Sequence, residues 1–268
     1  MEIFEFAFFW RALIICLLFS VVSGIFGSLI VFRREVQITH TLSNGALLGI
    51  VLGFLFGFNI DIFSSLTAII LVIFIYFLIK NRKITPESVL ELSAQVSLAL
   101  AIFLLGFLSF IKVEINSFLF GSILSSNSLD AIIIFIISLF SVGFFSLFYK
   151  KILAISINNN LAILSYKNIN LIEFLYYIFL AVIISFGIKI FGILLLGAFL
   201  VLPPNIAKLV SKNVNNYLFY AIIFGSISSI LGIFLSYYLN SPTGPTIILV
   251  LFFLFLLAYF FSNKKASN

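Results

Sequence analysis

The residues of this sequence best suited to chemistry are two polar pairs, each separated by four positions. His40 and Asn44 form the first pair, and Glu91 and Gln95 form the second. A helix turns about 100° per residue, so the members of each pair project from one side of a helix, one turn apart. Imidazole nitrogens together with carboxylate or amide oxygens are ligands that divalent transition metals accept.

The inventory of ligands favours passage of a metal over its storage. A tight site normally requires three or four strong ligands, and the chain has one histidine and one cysteine among 268 residues. We therefore expect transient contacts with a transported ion and no cofactor bound by this chain. Two interpretations stay open: the four side chains converge on a polar passage, or each lies one turn inside a helix end and reaches water there.

An enzymatic function is disfavoured by the same inventory. No G-x-x-x-x-G-K-[ST] phosphate-binding loop occurs, and one histidine cannot complete an H-E-x-x-H motif. The lone Cys16 lies within an apolar run and is expected to be a small packing residue.

Composition places the polar pairs in a membrane. Hydrophobic residues make up 63% of the chain and charged residues 9%, whereas soluble domains carry about 25% charged residues. The apolar runs approach the roughly 20 residues of a spanning helix and exceed a barrel strand. We predict an all-α, polytopic integral membrane protein with about eight or nine transmembrane helices in a single transmembrane domain, 1–268. The candidate runs are 7–31, 40–57, 63–79, 89–110, 130–148, 171–188, 190–206, 215–238 and 244–262.

Basic residues predict the orientation of these helices. With the N-terminus outside, twelve of the 15 lysines and arginines fall on the cytoplasmic side, as the positive-inside rule requires. The N-terminus is therefore expected outside and the C-terminus in the cytoplasm. Glu2 and Glu5 stand where a signal peptide would be basic, which favours a retained first helix. Only Lys189 divides the sixth run from the seventh, and a re-entrant segment there would change the count.

The second apolar run carries a stripe of four glycines, in which successive glycines are four residues apart. Such a stripe predicts close approach of a neighbouring helix. Because His40 and Asn44 precede it at the same spacing, they are expected to face protein and not lipid. The glycines are Gly45, Gly49, Gly53 and Gly57.

Two later stretches have a pattern of their own. Pro203 and Pro204 interrupt the seventh run, and a basic segment follows, which predicts a helix end anchored at the inner leaflet. Residues 156–170 are long enough for a short cytoplasmic helix with Ala162 in its middle. That stretch is either an ordinary loop or a docking element.

Five stretches in register carry a resemblance to a known family. The chain resembles the membrane subunit of the bacterial zinc, manganese and iron ATP-binding-cassette importers. The resemblance implies a homodimeric permease in the bacterial cytoplasmic membrane, with separate ATPase subunits inside and a metal-binding protein outside. The stretches are GIFGSLIVFRRE (24–35), THTLSNGALLGIVLG (39–53), SFLFGSIL (117–124), GILLLGAFLVLPPNIAKL (192–209) and SPTGPTIILV (241–250).

The resemblance also implies a metal path. Family members usually read Asp-Thr-Leu-x-His-Ala where residues 40–45 here read HTLSNG, and that Asp and His are taken to meet the metal. Some zinc members carry His at the position of Gln95, and a small residue is usual at Glu91. We expect His40 and Glu91 to be the metal-facing groups, with Asn44 and Gln95 as weaker oxygen ligands. This oxygen-richer set leans toward manganese or iron; the alternative is a path with altered cargo.

The family places its ATPase-contacting helix in the stretch 156–170, usually with an acid, then Ala, then Gly four further on. The matching residues here are Asn160, Ala162 and Tyr166, with Ser165 beside them.

Three other functions remain as alternatives. A permease for a metal chelate or cobalamin would be expected to have more spans, a secondary transporter to have inverted repeats, and a structural scaffold would leave the polar pairs unexplained.

Overall fold

The computed structural model describes residues 7–80, 85–108, 121, 123–157, 162, 165–166 and 168–266. Every regular element in these ranges is helical, which confirms the all-α prediction. Within them, eight helices are long and apolar enough to cross a membrane. Asn160, one of the expected ATPase contacts, lies outside the described residues.

The helices follow the apolar runs closely, since a chain in lipid must satisfy its backbone polar groups within each segment. The first span is continuous from α1 through a π-helical turn into α2. In chain order the elements are α1 (Ala7–Val22), the π-turn (Ser23–Gly27), α2 (Ser28–Arg33), α3 (Gln37–Phe56), α4 (Ile60–Lys80), α5 (Pro86–Leu105), α6 (Ser128–Ile157), α7 (Ile169–Val210), α8 (Val214–Leu239) and α9 (Thr243–Ala266). Short 3-10 turns occupy Gly106–Leu108 and Ile123–Ser125.

Helix α7 contains a break that its length demands. Its 42 residues would span about 63 Å as one straight helix, twice the roughly 30 Å of a hydrocarbon core. Gly192 has φ 71° and ψ 165°, a conformation that glycine adopts readily and that interrupts the helix. The division expected beside Lys189 therefore falls three residues later, and the segments 169–191 and 193–210 are each about one membrane thickness long. The helix end expected at Pro203 and Pro204 is wrong, because α7 continues through both prolines to Val210.

The chain forms two compact units. The first unit comprises Met1–Arg34, Ser122–Tyr149 and Leu194–Asn268, and the second comprises Glu35–Gly121 and Lys150–Ile193. In the first unit α8 packs against α1, the π-turn and α9. In the second unit α3 packs against both α4 and α5. Hydrophobic residues of α3 and α5, among them Leu47, Val51 and Ala101, form a buried cluster there.

Glycines let α4 approach α3 in the second unit. A Cβ atom on Gly49 would stand 2.6 Å from the Phe63 carbonyl oxygen and would overlap the Thr67 hydroxyl. The same hydroxyl donates a hydrogen bond to the Gly45 carbonyl at 3.1 Å. Gly57 differs from the rest of the stripe, because it has open space around it and ends α3 in a left-handed conformation with φ 69°.

Replacing Gly49 with alanine should destabilise the protein, because the methyl group would meet backbone atoms of α4 that cannot move aside. We expect a loss of roughly 1–3 kcal/mol, measured as a lower melting temperature in detergent. Gly143→Ala is the matched control, since nothing lies within 4 Å of a Cβ placed at that helical position. Equal melting temperatures for the two variants would contradict the close packing of α3 on α4.

Candidate metal path

Hydrogen bonds from α3 to the backbone of α5 position the candidate metal path. The Thr41 hydroxyl donates to the Leu90 carbonyl at 2.9 Å and also lies 3.0 Å from the Gln37 carbonyl of its own helix. One turn later the Asn44 amide nitrogen donates to the Ala94 carbonyl at 3.2 Å. These side-chain donors fix the register of the two helices, because each reaches one particular carbonyl.

Asn44 is half-buried in this contact. Since its amide nitrogen is bonded to α5, the amide oxygen is the atom that it retains for a ligand. The residue therefore combines packing with a single oxygen donor, which is weaker toward a divalent transition metal than an imidazole nitrogen.

Glu91 and Gln95 lie together on the exposed face of α5. The Gln95 amide nitrogen donates to one Glu91 carboxylate oxygen at 3.0 Å. This bond holds the glutamate against its neighbour and leaves the second carboxylate oxygen and the Gln95 amide oxygen pointing away from the shared bond. The pair thus presents two oxygen donors, one of them charged.

His40 lies on the surface of the single chain. Asn44 faces protein as expected, through its bond to α5, but neither residue continues the glycine face, because both are one residue, or about 100°, out of step with the stripe. Thr41 occupies the continuing position, while the glycine face itself turns toward α4. Asn44 accordingly faces α5, and His40 is covered by neither neighbour.

Apolar side chains surround the exposed polar groups. Leu92 is 60% exposed and Val96 is 56% exposed on the same helix as Glu91 and Gln95. An ionised side chain facing lipid costs on the order of 2.5–3.5 kcal/mol, so such residues usually face water or a protein partner. Among the described residues, no three His, Cys, Asp or Glu side chains come together as a group that could hold a metal ion.

The structure adds two polar contacts that sequence reasoning missed. Just before α3, Glu35 accepts a hydrogen bond of 2.8 Å from the Tyr177 hydroxyl of α7. At the start of α4, Asp61 forms an ion pair of 3.2 Å with Lys189. Both partners of that pair are partly exposed, so it contributes little to stability. In the sequence, Glu35 and Asp61 are recognisable only as acidic residues close to an apolar run, and nothing in the sequence identifies the residue that each one contacts.

The expected ATPase contacts are only partly described. Ala162 is buried, whereas Ser165 and Tyr166 are exposed. The Tyr166 amide donates to the Ala162 carbonyl at 3.0 Å. Two accessible side chains therefore lie close to a buried small residue.

Thr41→Val should weaken the junction of α3 and α5. The valine keeps the shape of threonine but lacks the hydroxyl that reaches Leu90, and a net loss of about 1 kcal/mol is expected. Thr39→Val is the control, because Thr39 is also fully buried on α3 but bonds only the Val36 carbonyl nearby in its own chain segment. The measurement is the melting temperature of each variant, which should fall further for Thr41→Val than for Thr39→Val. An equal fall in both would show that the bond between α3 and α5 adds no stability.

Three comparisons with known proteins bear on this arrangement. A model described as the ABC 3 transport family matches residues 5–262. The manganese transport system membrane protein MntC of Listeria monocytogenes is 26% identical over 97% of this chain and 93% of its own length. The high-affinity zinc uptake system membrane protein ZnuB of Haemophilus influenzae is 28% identical over 95% of this chain and 98% of its own length.

A solved structure, PsaBC from Streptococcus pneumoniae in complex with Fab, has a similar fold. Its TM-score to this chain is 0.87, with 25% sequence identity, and the match covers 100% of this chain and 98% of that one. The similarity therefore extends over the whole bundle of helices and is not confined to one motif.

Proposed function

Since this chain belongs to the ABC 3 transport family, we propose that it is the membrane-spanning permease subunit of an ATP-driven importer of divalent transition-metal ions. The family match over residues 5–262 carries this proposal. The relatives named for manganese and zinc transport support the class of cargo. The exposed oxygen and nitrogen donors of α3 and α5 supply its chemistry.

Two copies of the chain enclose the path. The exposed faces that carry His40, Glu91 and Gln95 are polar within an apolar span, and a second copy covers them while leaving room for an ion. Each copy contributes one imidazole and one carboxylate as its stronger donors. The amide oxygens of Asn44 and Gln95 add weaker contacts, so the ion is held loosely enough to move on.

Manganese is the cargo that this donor set fits best. A majority of oxygen donors suits a harder ion, whereas zinc prefers additional imidazole or thiolate ligands. The departure of residues 40–45 from the usual family sequence replaces an Asp and a His by one His and one amide. The donor set therefore contains a single imidazole nitrogen per copy.

The remaining parts of the importer follow from the orientation of the chain. The N-terminus lies outside and the C-terminus in the cytoplasm of a bacterial inner membrane, in agreement with the excess of basic residues expected inside. ATPase subunits bind at the cytoplasmic stretch 156–170, and an extracytoplasmic metal-binding protein delivers the ion. The glycine contacts of α3 and α4 allow the closely packed helices to shift together as the ATPase closes.

His40→Ala should abolish metal uptake, because it removes the one imidazole that each copy contributes to the path. The measurement is manganese, zinc and iron uptake into proteoliposomes that contain the permease, its ATPase and its binding protein. We expect a fall of at least tenfold, or about 1.4 kcal/mol in the transport barrier. Manganese should be the ion most rapidly taken up by the wild type.

The control for this experiment is Asn216→Ala, which changes an exposed polar residue of the other unit. Both variants must assemble with the ATPase and hydrolyse ATP. Normal metal accumulation by His40→Ala would contradict the proposed path. An assembled wild-type complex that hydrolyses ATP but transports none of the three ions would mean that the cargo is different, such as a metal chelate.

A cysteine at Ser165 should cross-link to the ATPase. Ser165 is exposed in the turn after Ala162, and the native Cys16 is buried, so the new thiol is the accessible one. We expect a covalent adduct with a cysteine on the ATPase surface, and its yield should change with nucleotide. The control is Asn240→Cys, because Asn240 is exposed directly after α8, on the side of the membrane opposite the ATPase in the proposed orientation, and should give no adduct. The absence of an adduct from Ser165→Cys in every nucleotide state would exclude this docking site.

A further inference from the structure

The second half of α7 contains two carbonyls that its own helix cannot satisfy. Pro203 and Pro204 have no backbone N–H, so the carbonyls four residues earlier, on Phe199 and Leu200, lose their helical donors. Both residues are completely buried. Water is therefore excluded, and a buried carbonyl without a partner is costly.

The π-turn of the first span lies against these two carbonyls. The Ser23 hydroxyl donates a hydrogen bond to the Phe199 carbonyl oxygen. Gly27 lies so close to the Leu200 carbonyl oxygen that a Cβ atom would overlap it, and the same Cβ would stand 3.0 Å from the Pro204 ring. One carbonyl thus receives a hydroxyl donor, and the other lies against a bare Cα.

The two contacting residues are the first and last residues of the π-turn. A π-turn holds one more residue than an α-helical turn, and such turns occur mostly as single bulges inside α-helices, frequently at functional sites. Here the insertion brings both Ser23 and Gly27 to the proline segment, while Gly24 packs closely on Ile222 of α8. All five residues of the turn are buried.

We propose that Ser23 is a positioning residue for transport, which joins the π-turn to the proline segment of α7 so that the two move as one body. Its hydroxyl replaces the N–H that Pro203 lacks, and Gly27 provides the close approach that keeps it there. The role in transport rests on the proposed function, whereas the replacement of the missing donor does not.

A double-mutant cycle tests the replacement directly, because Pro203→Ala restores the helical donor to the Phe199 carbonyl. Melting temperatures are measured for the wild type, Ser23→Ala, Pro203→Ala and the double variant, each in complex with the ATPase. Ser23→Ala should lower the melting temperature by about 4 °C in the wild type. The same substitution should have a much smaller effect in the Pro203→Ala background.

Ser141→Ala is the matched control. Ser141 is also fully buried, but its hydroxyl bonds the Ile137 carbonyl, which has a donor in its own helix. Its effect should be the same in both backgrounds. Equal effects of Ser23→Ala in the two backgrounds would overturn the proposal, whatever the size of those effects.

Metal uptake tests the role in transport. Ser23→Ala should lower the maximal rate at least threefold and leave the half-saturating metal concentration unchanged, since Ser23 is not among the proposed metal contacts. The loss should shrink in the Pro203→Ala background. An unchanged maximal rate in an assembled Ser23→Ala complex would overturn this role. A wild type that transports no metal would instead contradict the proposed function, and the cycle of melting temperatures would still decide the contact.

Discussion

Main-chain carbonyls that are buried in an apolar chain must be paired within the protein, and this requirement shapes both units. Helices meet it for most residues, and the Ser23 hydroxyl meets it for the Phe199 carbonyl, which lacks a helical donor because of Pro203. Other hydroxyls add a second donor to carbonyls that are already paired within their own helices. Thr67 reaches the Gly45 carbonyl, Thr41 reaches the Leu90 carbonyl and Ser23 reaches the Phe199 carbonyl. Each of these bonds fixes one helix against another at a defined register, so the polar contacts provide orientation that apolar packing alone does not.

The candidate metal path depends on this arrangement of α3. One face of the helix is closed by glycines against α4, and an adjacent face is bonded to α5 through Thr41 and Asn44. His40 is left on the remaining surface, with the Glu91 and Gln95 pair on the exposed face of α5. A helix that uses two faces for packing leaves the third face free to carry the side chains of the proposed metal path.

Much of the fold followed from composition and periodicity. The apolar runs predicted the helices, and the interruption between the sixth and seventh runs was expected within three residues of Gly192. The glycine spacing identified a surface for close approach, but not that α4 would occupy it or that Gly57 would end the helix. The glycine spacing did not place His40 correctly on α3, because an offset of one residue, about 100° on a helix, separates its face from the glycine face.

The sequence by itself determined the class of this protein, since apolar length, charge asymmetry and local motifs are properties of the chain that need no knowledge of its neighbours. Tertiary structure alone decided which donor meets which acceptor: Asn44 with Ala94, Tyr177 with Glu35, and Ser23 with Phe199. The physical reason is that a hydrogen bond between helices depends on their relative rotation and register. Those quantities arise from the packing of residues far apart in the chain, 176 positions in the case of Ser23 and Phe199, and no local pattern encodes them.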